Sequence, residues 1–289
     1  MNALPTRAAA TIVRRPRRGR SRPAGLLHTI LGVAILAVLL FPLYWMLDTS
    51  LQPHQAGGVK TPWFPIHPSV HGYAQAIHDQ GGHLLTSLII AIGCVVFSLL
   101  IAAPAAYALA QFNVRGVGVV LLIILISQMI PGIVVANALY HFYSDLGLLN
   151  SIPGLILADS ALAIPFAILI LRAFMLTLPR SILEAARVDG AGPLRVFVSV
   201  VLPVSRNAII TAALFSFLFA WGDFLFALTL TTGDSVRPVT VGLYLYVGTY
   251  VTDWSAAMAT AVMASIPAIV LLVIAQKYIA AGTTAGAVK

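Results

Sequence analysis

Six apolar runs, at roughly residues 26–47, 84–110, 117–140, 152–175, 206–230 and 256–280, dominate this sequence, and each is long enough for a crossing helix of about 20 apolar residues. Inside hydrocarbon every backbone N–H and C=O has to find its partner within the protein, which leaves helices as the form such runs take. The expected fold is therefore all-α: a polytopic membrane protein with six transmembrane helices. Composition agrees, since 60% of the 289 residues are hydrophobic, only 9% are charged, and mean hydropathy is +0.95. A bilayer, rather than a water-surrounded core, is the solvent of this chain.

An even number of crossings puts both chain ends on one side. Cytoplasmic segments near spans retain Lys and Arg, and the N-terminal tail carries Arg7, Arg14, Arg15, Arg17, Arg18, Arg20 and Arg22. With that end inside, Arg115, then Arg172, Arg180, Arg187, Arg195 and Arg206, and finally Lys277 and Lys289 also fall inside. Fifteen of the seventeen cations obey the rule, and only Lys60 and Arg237 do not. The expected location is the cell (plasma or inner) membrane, multi-pass, with both termini cytoplasmic. The net charge of +8 then reads as an orientation and lipid-surface signal. It does not read as nucleic-acid binding, because the Arg cluster abuts a span and no aromatic residues interleave with it. The first run is also too long for the core of a cleaved signal peptide, and no small-x-small site follows it. The single Cys94 lies inside the second run, which excludes a disulfide framework or a thiolate metal site within one chain.

The domain reading follows from these runs: 1–25, an Arg-rich cytoplasmic tail; 26–83, the first transmembrane helix and an outer loop; 84–280, a transmembrane core with a cytoplasmic loop at 176–205; and 281–289, a cytoplasmic tail. The outer loop over 48–83 is rich in Pro and Gly, which argues against a long helix there, with one short amphipathic helix expected at SVHGYAQAIHD. The last outer segment, TTGDSVRPVTVGLYLYVGTYVTDWS, is apolar and aromatic. It suits a piece that dips back toward the membrane or presents a docking surface.

The segment EAARVDGAGPLRVFVSVVLP, residues 184–203, interrupts the apolar pattern with two short helical pieces. Ser181 and Glu184 have capping-box spacing, so a helix is expected to start at Ser181. Gly190 and Gly192 supply positive-φ or tight-turn positions, Pro193 opens a second helix at its first position, and Pro203 is expected to close it. The product is a helix-turn-helix on the cytoplasmic face.

The spacing in this segment resembles the signature loop of binding-protein-dependent ABC importer permeases. Glu184, Ala185, Ala186, Gly190, Leu202 and Pro203 match that pattern, Asp189 lies within it, and Val200 stands where Ile is usual. WGDFLFALTLT from Trp221, AAYALAQFNVRG, LGLLNSIPGLIL and the ending AGTTAGAVK are similar to segments of carbohydrate-uptake permeases, notably the smaller maltose-transporter permease and its relatives. Three positions depart from the family: Gly222 replaces an Asn, Thr86 stands where Asn commonly precedes Ser-Leu, and Asp159 lies where relatives carry an aromatic or apolar residue.

The resemblance implies a type I ABC importer permease fold, in which the loop is a coupling helix docked into a cleft on a cytoplasmic ATPase. It implies a second permease subunit forming a heterodimer, two ATPase subunits and an extracytoplasmic solute-binding protein, with ATP and Mg bound by the ATPases and no cofactor or metal in this chain. Glu184, Ala185, Ala186, Asp189, Gly190, Leu202 and Pro203 would be the coupling residues: the alanines admit close helix approach, and Glu184 can fix orientation through a charged hydrogen bond. The tail TTAGAVK is a second candidate contact. The solute is expected to be a sugar; a glycerophosphodiester or polyol importer is the neighbouring alternative. A stand-alone secondary transporter would need ion-coupling charges and usually internal repeats.

Asp159, Trp221 and Asp223 are candidate pathway residues. The two carboxylates lie about seven residues from the outer ends of their runs, roughly 10 Å deep at 1.5 Å per residue, and charges at such depth usually face a cavity or a partner. Packing against a neighbouring helix is the competing role. Outer histidines 54, 67, 71, 78 and 83 raise a metal site, but Pro68 breaks the register between His67 and His71 and no carboxylate cluster joins them. A docking surface suits them better. No phosphate-binding G-x-x-x-x-G-K-[ST] loop is present, so the chain is not expected to hydrolyse ATP, and AWGDF lacks the first Gly of an intramembrane protease G-x-G-D motif.

Overall fold

The structure, a computed structural model, describes residues 23–53, 62–250 and 253–284. The Arg7–Arg22 cluster, His54, Lys60 and the tail from residue 285 lie outside the described residues. Among the described residues every regular element is a helix. The chain divides into two units, residues 1–45 and 46–289, and each is taken by itself.

The first unit holds most of α1 (Pro23–Ser50). From Leu27 to Tyr44 its side chains are all exposed. A helix that is apolar on every side suits acyl chains as its surroundings.

The second unit is built on α2 (His71–Gln111) and α5 (Ile152–Met175), joined by α9 (Arg206–Trp221) and α12 (Trp254–Thr284) in a four-helix bundle. With no hydrophobic force between helices in lipid, packing selects small residues that let backbones approach. Ala91, Cys94, Ala102 and Ala106 of α2, Ala158, Ala163 and Ala167 of α5, and Ala212 of α9 are all buried accordingly. Gly93 belongs to the same seam: a Cβ there would run into the Ile156 side chain.

Span four, read as 152–175, coincides with α5. Ser151 caps it by accepting the Gly154 N–H at 3.1 Å, with Pro153 in the first turn. Span two is longer than expected. The short outer helix is continuous with it, and Gly81 and Gly82 lie inside one 41-residue helix. What overrides the glycine signal is packing: Gly72 lies against the Ser255 backbone, and Gly242 fits beside Gln80 and His83. The second half of the outer loop is therefore helix, a correction to the sequence reading.

Span three is not one helix but two, α3 (Val117–Ser127) and α4 (Gly132–Leu146), bent by 91° at a break ending in Pro131. Span five is likewise interrupted: α9 stops at Trp221 and α10 (Leu225–Leu230) starts after Gly222-Asp223-Phe224. Between α5 and α9 run α6 (Arg180–Val188), α7 (Pro193–Val196), a π-helical turn at Phe197–Val201 and α8 (Leu202–Val204), and the continuous stretch Pro193–Val204 is bent by 79° against α9. Among the described residues four helices are long and apolar enough to cross a membrane, or up to six if each bent pair is one span. The last outer segment folds back as α11 (Val239–Tyr250), and its Val239 N–H donates to the Ser87 hydroxyl of α2 at 2.8 Å.

Candidate functional site

The loop between α5 and α9 is anchored on one side and bare on the other. Leu183 of α6, Val196 of α7 and Val201 of the π turn are buried in one apolar core with Ala102, Leu171 and Ala212 of three bundle helices. Phe197 adds a ring contact with Tyr107, 5.4 Å between centroids. At the opposite edge Val188 is 87% and Leu194 75% exposed, and Glu184, Ala185, Asp189 and Gly190 are exposed with them. The buried side of the tip thus packs directly against α2, α5 and α9.

Gly190 sets the shape of the tip. It has φ +81°, its N–H donates to Arg187 O at 3.0 Å, and the Ala191 N–H donates to Ala186 O at 3.0 Å. These two bonds are the Schellman ending of a helix, which needs a left-handed residue. Gly192, by contrast, is extended at φ −66° and precedes α7, with Pro193 as its first residue, as expected. The capping box does not form: the helix begins one residue early at Arg180, behind Pro179, so Ser181 lies inside it and caps nothing. Nor does Pro203 close the second piece. The helix runs on to Val204, because the π turn, in which the Leu202 N–H reaches Phe197 O, accommodates a residue that cannot donate.

The three candidate pathway residues sit together near the span-five break, each in a different state. Trp221 is buried, stacks on Phe217 at 5.4 Å, and donates its indole N–H to Ala264 O of α12 at 2.9 Å. Asp223 accepts the N–H of Phe226 at 3.2 Å and of Ala227 at 2.8 Å, so its carboxylate caps α10; the Thr240 hydroxyl donates to its backbone carbonyl at 2.6 Å. Asp159 is 3% exposed and makes no side-chain hydrogen bond among the described residues, while Asp223 lies within its electrostatic reach.

Sequence reasoning missed two residues here. Asn150 occupies the left-handed region at φ 53° and ties the α4–α5 turn to the chain after α10; the signal was an Asn in a turn, a residue type that tolerates this conformation. Tyr143 of α4, 4% exposed, packs in one buried cluster with Leu155 and Ala158 of α5 and Phe226 of α10, and no local pattern marks it. Among the described residues no three His, Cys, Asp or Glu side chains form a metal group. His83 instead contacts Gln80 Oε1 at 2.8 Å and lies 3.5 Å from Asp234, which is paired with Arg237.

Comparison with known proteins agrees with this architecture. The family described as "Binding-protein-dependent transport system inner membrane component" matches residues 95–284. The sulfoquinovosyl glycerol transport system permease protein SmoH of Agrobacterium fabrum is 34% identical over 266 residues, covering 91% of this chain and 93% of that one. The trehalose/maltose transport system permease protein MalG of Thermococcus litoralis is 31% identical, with 90% and 95% covered. Among solved structures, a chain of a bacterial ABC transporter involved in import of the acidic polysaccharide alginate superposes with a TM-score of 0.76 at 24% identity, over 91% of this chain and 99% of that one. The bent third span, the helical tip between α5 and α9 and the extent of these matches lead to one assignment: the chain belongs to the binding-protein-dependent transport system inner membrane component family, as a permease of the ABC importer fold.

Proposed function

We propose that this chain is one of two permease subunits of an ATP-driven carbohydrate importer, and that a sugar released by an extracytoplasmic binding protein passes between the two. The observation that carries the reading is the α6–α7 tip, anchored in three bundle helices through Leu183, Val196 and Val201 and exposed at Val188, Gly190 and Leu194. Such a part suits force transmission from a docked partner. Glu184, Ala185, Ala186, Asp189 and Gly190 would contact an ATPase, while Leu202 and Pro203 shape the second arm. ATP and Mg belong to two ATPase subunits, and the chain itself is not an enzyme and holds no cofactor.

Carbohydrate as the solute class is supported by relatives named for sulfoquinovosyl glycerol, trehalose/maltose and diacetylchitobiose transport. The cation distribution supports an orientation with both termini cytoplasmic. Of the three pathway candidates, Asp159 keeps free hydrogen-bonding capacity, whereas Trp221 and Asp223 would serve by holding the span-five break beside it.

The test is to tag the chain, purify it from membranes in mild detergent and identify what accompanies it by mass spectrometry. An ATPase, a second permease and a binding protein are expected, and a thermal-shift sugar screen on that binding protein would name the solute. A chain that emerges alone, with uptake insensitive to vanadate, would replace this reading with a secondary transporter.

A further inference from the structure

His83 is the last residue before the second apolar run, 84–110. Its side chain is 15% exposed, and three contacts hold it. Nδ1 lies 2.8 Å from Gln80 Oε1, one turn back on α2; because a carbonyl oxygen only accepts, Nδ1 carries the proton. Nε2 lies 3.5 Å from Asp234 Oδ1 of the segment after α10. Gly242 of α11 packs on the ring: a Cβ there would stand 2.6 Å from Nδ1 and 2.5 Å from Gln80 Oε1, so only glycine lets α11 come this near. The same patch fixes the start of α11. The Val239 N–H donates to the Ser87 hydroxyl, one turn beyond His83, at 2.8 Å, and the Thr240 hydroxyl donates to the Asp223 carbonyl, in the span-five break, at 2.6 Å.

A neutral ring fits this packing better than an imidazolium. In the neutral ring the Nε2 lone pair faces a carboxylate, so protonation gains one contact with Asp234. That gain is small, because Asp234 is 76% exposed and already paired with Arg237, whose guanidinium opposes a second cation. The loss is the hydration of a charged ring on its buried side. Burial accordingly holds His83 below the ordinary histidine value, with Asp234 raising it and Arg237 lowering it. The described part of α11, residues 239–245, brings no charged side chain to the ring, and its one titratable group, Tyr244, is exposed. On α2 itself Asp79 is bonded to Gln75 at 2.8 Å and to His78 at 2.9 Å.

We propose that His83 is a proton-operated latch on the outer face: neutral, it seals the segment 234–242 against α2, and protonated by an acidic outer solution it releases that segment, and with it the support that Thr240 gives the span-five break. The sign follows from linkage. A histidine that docks neutral contributes its full stabilisation above the pH at which the free ring titrates, about 6.5, and loses it as the pH falls below that. The effect on transport rests on the importer reading; the latch itself does not.

The experiment follows amide hydrogen exchange by mass spectrometry in the complete complex in nanodiscs, where both faces meet the buffer. The reporters are the N–H groups of Val239, held by Ser87, and of Gly242, held by Pro238 O at 2.9 Å. After division by the intrinsic exchange rate at each pH, their opening should rise about threefold or more between about pH 7.5 and about pH 5.5. His83→Gln, which keeps a polar side chain and cannot titrate, should open equally at both. Asp234→Asn removes the carboxylate that offsets the ring's charge and should respond more steeply than the native chain. A flat native response, an equal rise in His83→Gln, or a shallower response in Asp234→Asn would each overturn the latch. ATP hydrolysis stimulated by the binding protein is measured in the same nanodiscs at both pH values. Its ratio between them should differ between the native and His83→Gln complexes, and equal ratios would overturn the link to transport. Absence of stimulated hydrolysis at either pH would count against the importer reading itself, while the exchange result still decides the latch.

Discussion

Asn150 Oδ1 accepts two backbone N–H groups, from Thr232 at 2.6 Å and Gly233 at 2.9 Å, across 82 and 83 residues of sequence. The same residue donates its own N–H to Leu230 O at 3.0 Å from a left-handed backbone conformation. Asn is one of few residue types that supplies both the acceptor and that conformation. Asn150→Ala should lower the stability of the purified chain by about 1–3 kcal/mol, losing the acceptor and straining the turn. Asn150→Asp keeps the acceptor and should stay close to native in thermal unfolding. Equal losses in the two variants would mean the clamp contributes nothing.

How far the sequence already contained this structure depends on whether a feature is local. Span four was legible to the residue, because Ser151, Pro153 and an unbroken apolar run all act within one helix. Spans three and five were legible as apolar length but not as direction. Hydropathy ignores a bend, although Pro131-Gly132 and Gly222-Asp223 stood in plain view. The short helix around His71 was legible, but its continuity with span two through Gly81 and Gly82 was hidden because contacts to Ser255 and Gly242 outweigh two helix-weakening glycines. Ser181 failed as a cap because Pro179 already starts α6. At the site, the turn at Gly190 could be read locally, whereas Asn150 acquires meaning only from Thr232 and Gly233, far along the chain.

A Cβ at Gly190 meets nothing within 4 Å, so any substitution there acts through conformation and through what docks outside. The left-handed backbone costs an ordinary L-residue about 1–2 kcal/mol, too little to unfold the chain. Gly190→Asn, which tolerates φ near +81°, should retain much of the native uptake. Gly190→Asp adds a charge at the exposed tip and should abolish transport while the chain stays in the membrane at native level. Uptake and membrane abundance measured together check this, and normal uptake by Gly190→Asp would refute the coupling assignment.

Gly93 and Ile156 offer a test of close packing in the bundle. Gly93→Ala places a methyl group against the stiff, branched Ile156 side chain and should destabilise by about 1–3 kcal/mol through overpacking. Ile156→Ala alone should also destabilise, by opening space. Together they should cost less than the sum, because the space opened by one admits the methyl of the other. Thermal unfolding of the four chains in one detergent gives the coupling. Strict additivity would show that the helices separate locally instead of holding their contact.

Trp221 ties span five to span six through its N–H to Ala264 O at 2.9 Å, three residues before Pro267, where α12 contains a residue that cannot donate. The bond lies immediately before the break that carries Asp223, so it fixes the end of α9 from which α10 departs. Trp221→Phe keeps the ring against Phe217 and loses only the donor, which should cost about 0.5–1.5 kcal/mol. Trp221→Ala removes the ring as well and should cost about 3–5 kcal/mol. If the tie positions the break and not merely the bundle, Trp221→Phe should also reduce sugar uptake more than its small stability loss accounts for. The comparison variant is Phe217→Leu, which loosens the same stack and leaves the N–H bond in place. Equal uptake in the two variants at matched membrane levels would reduce Trp221 to a packing residue.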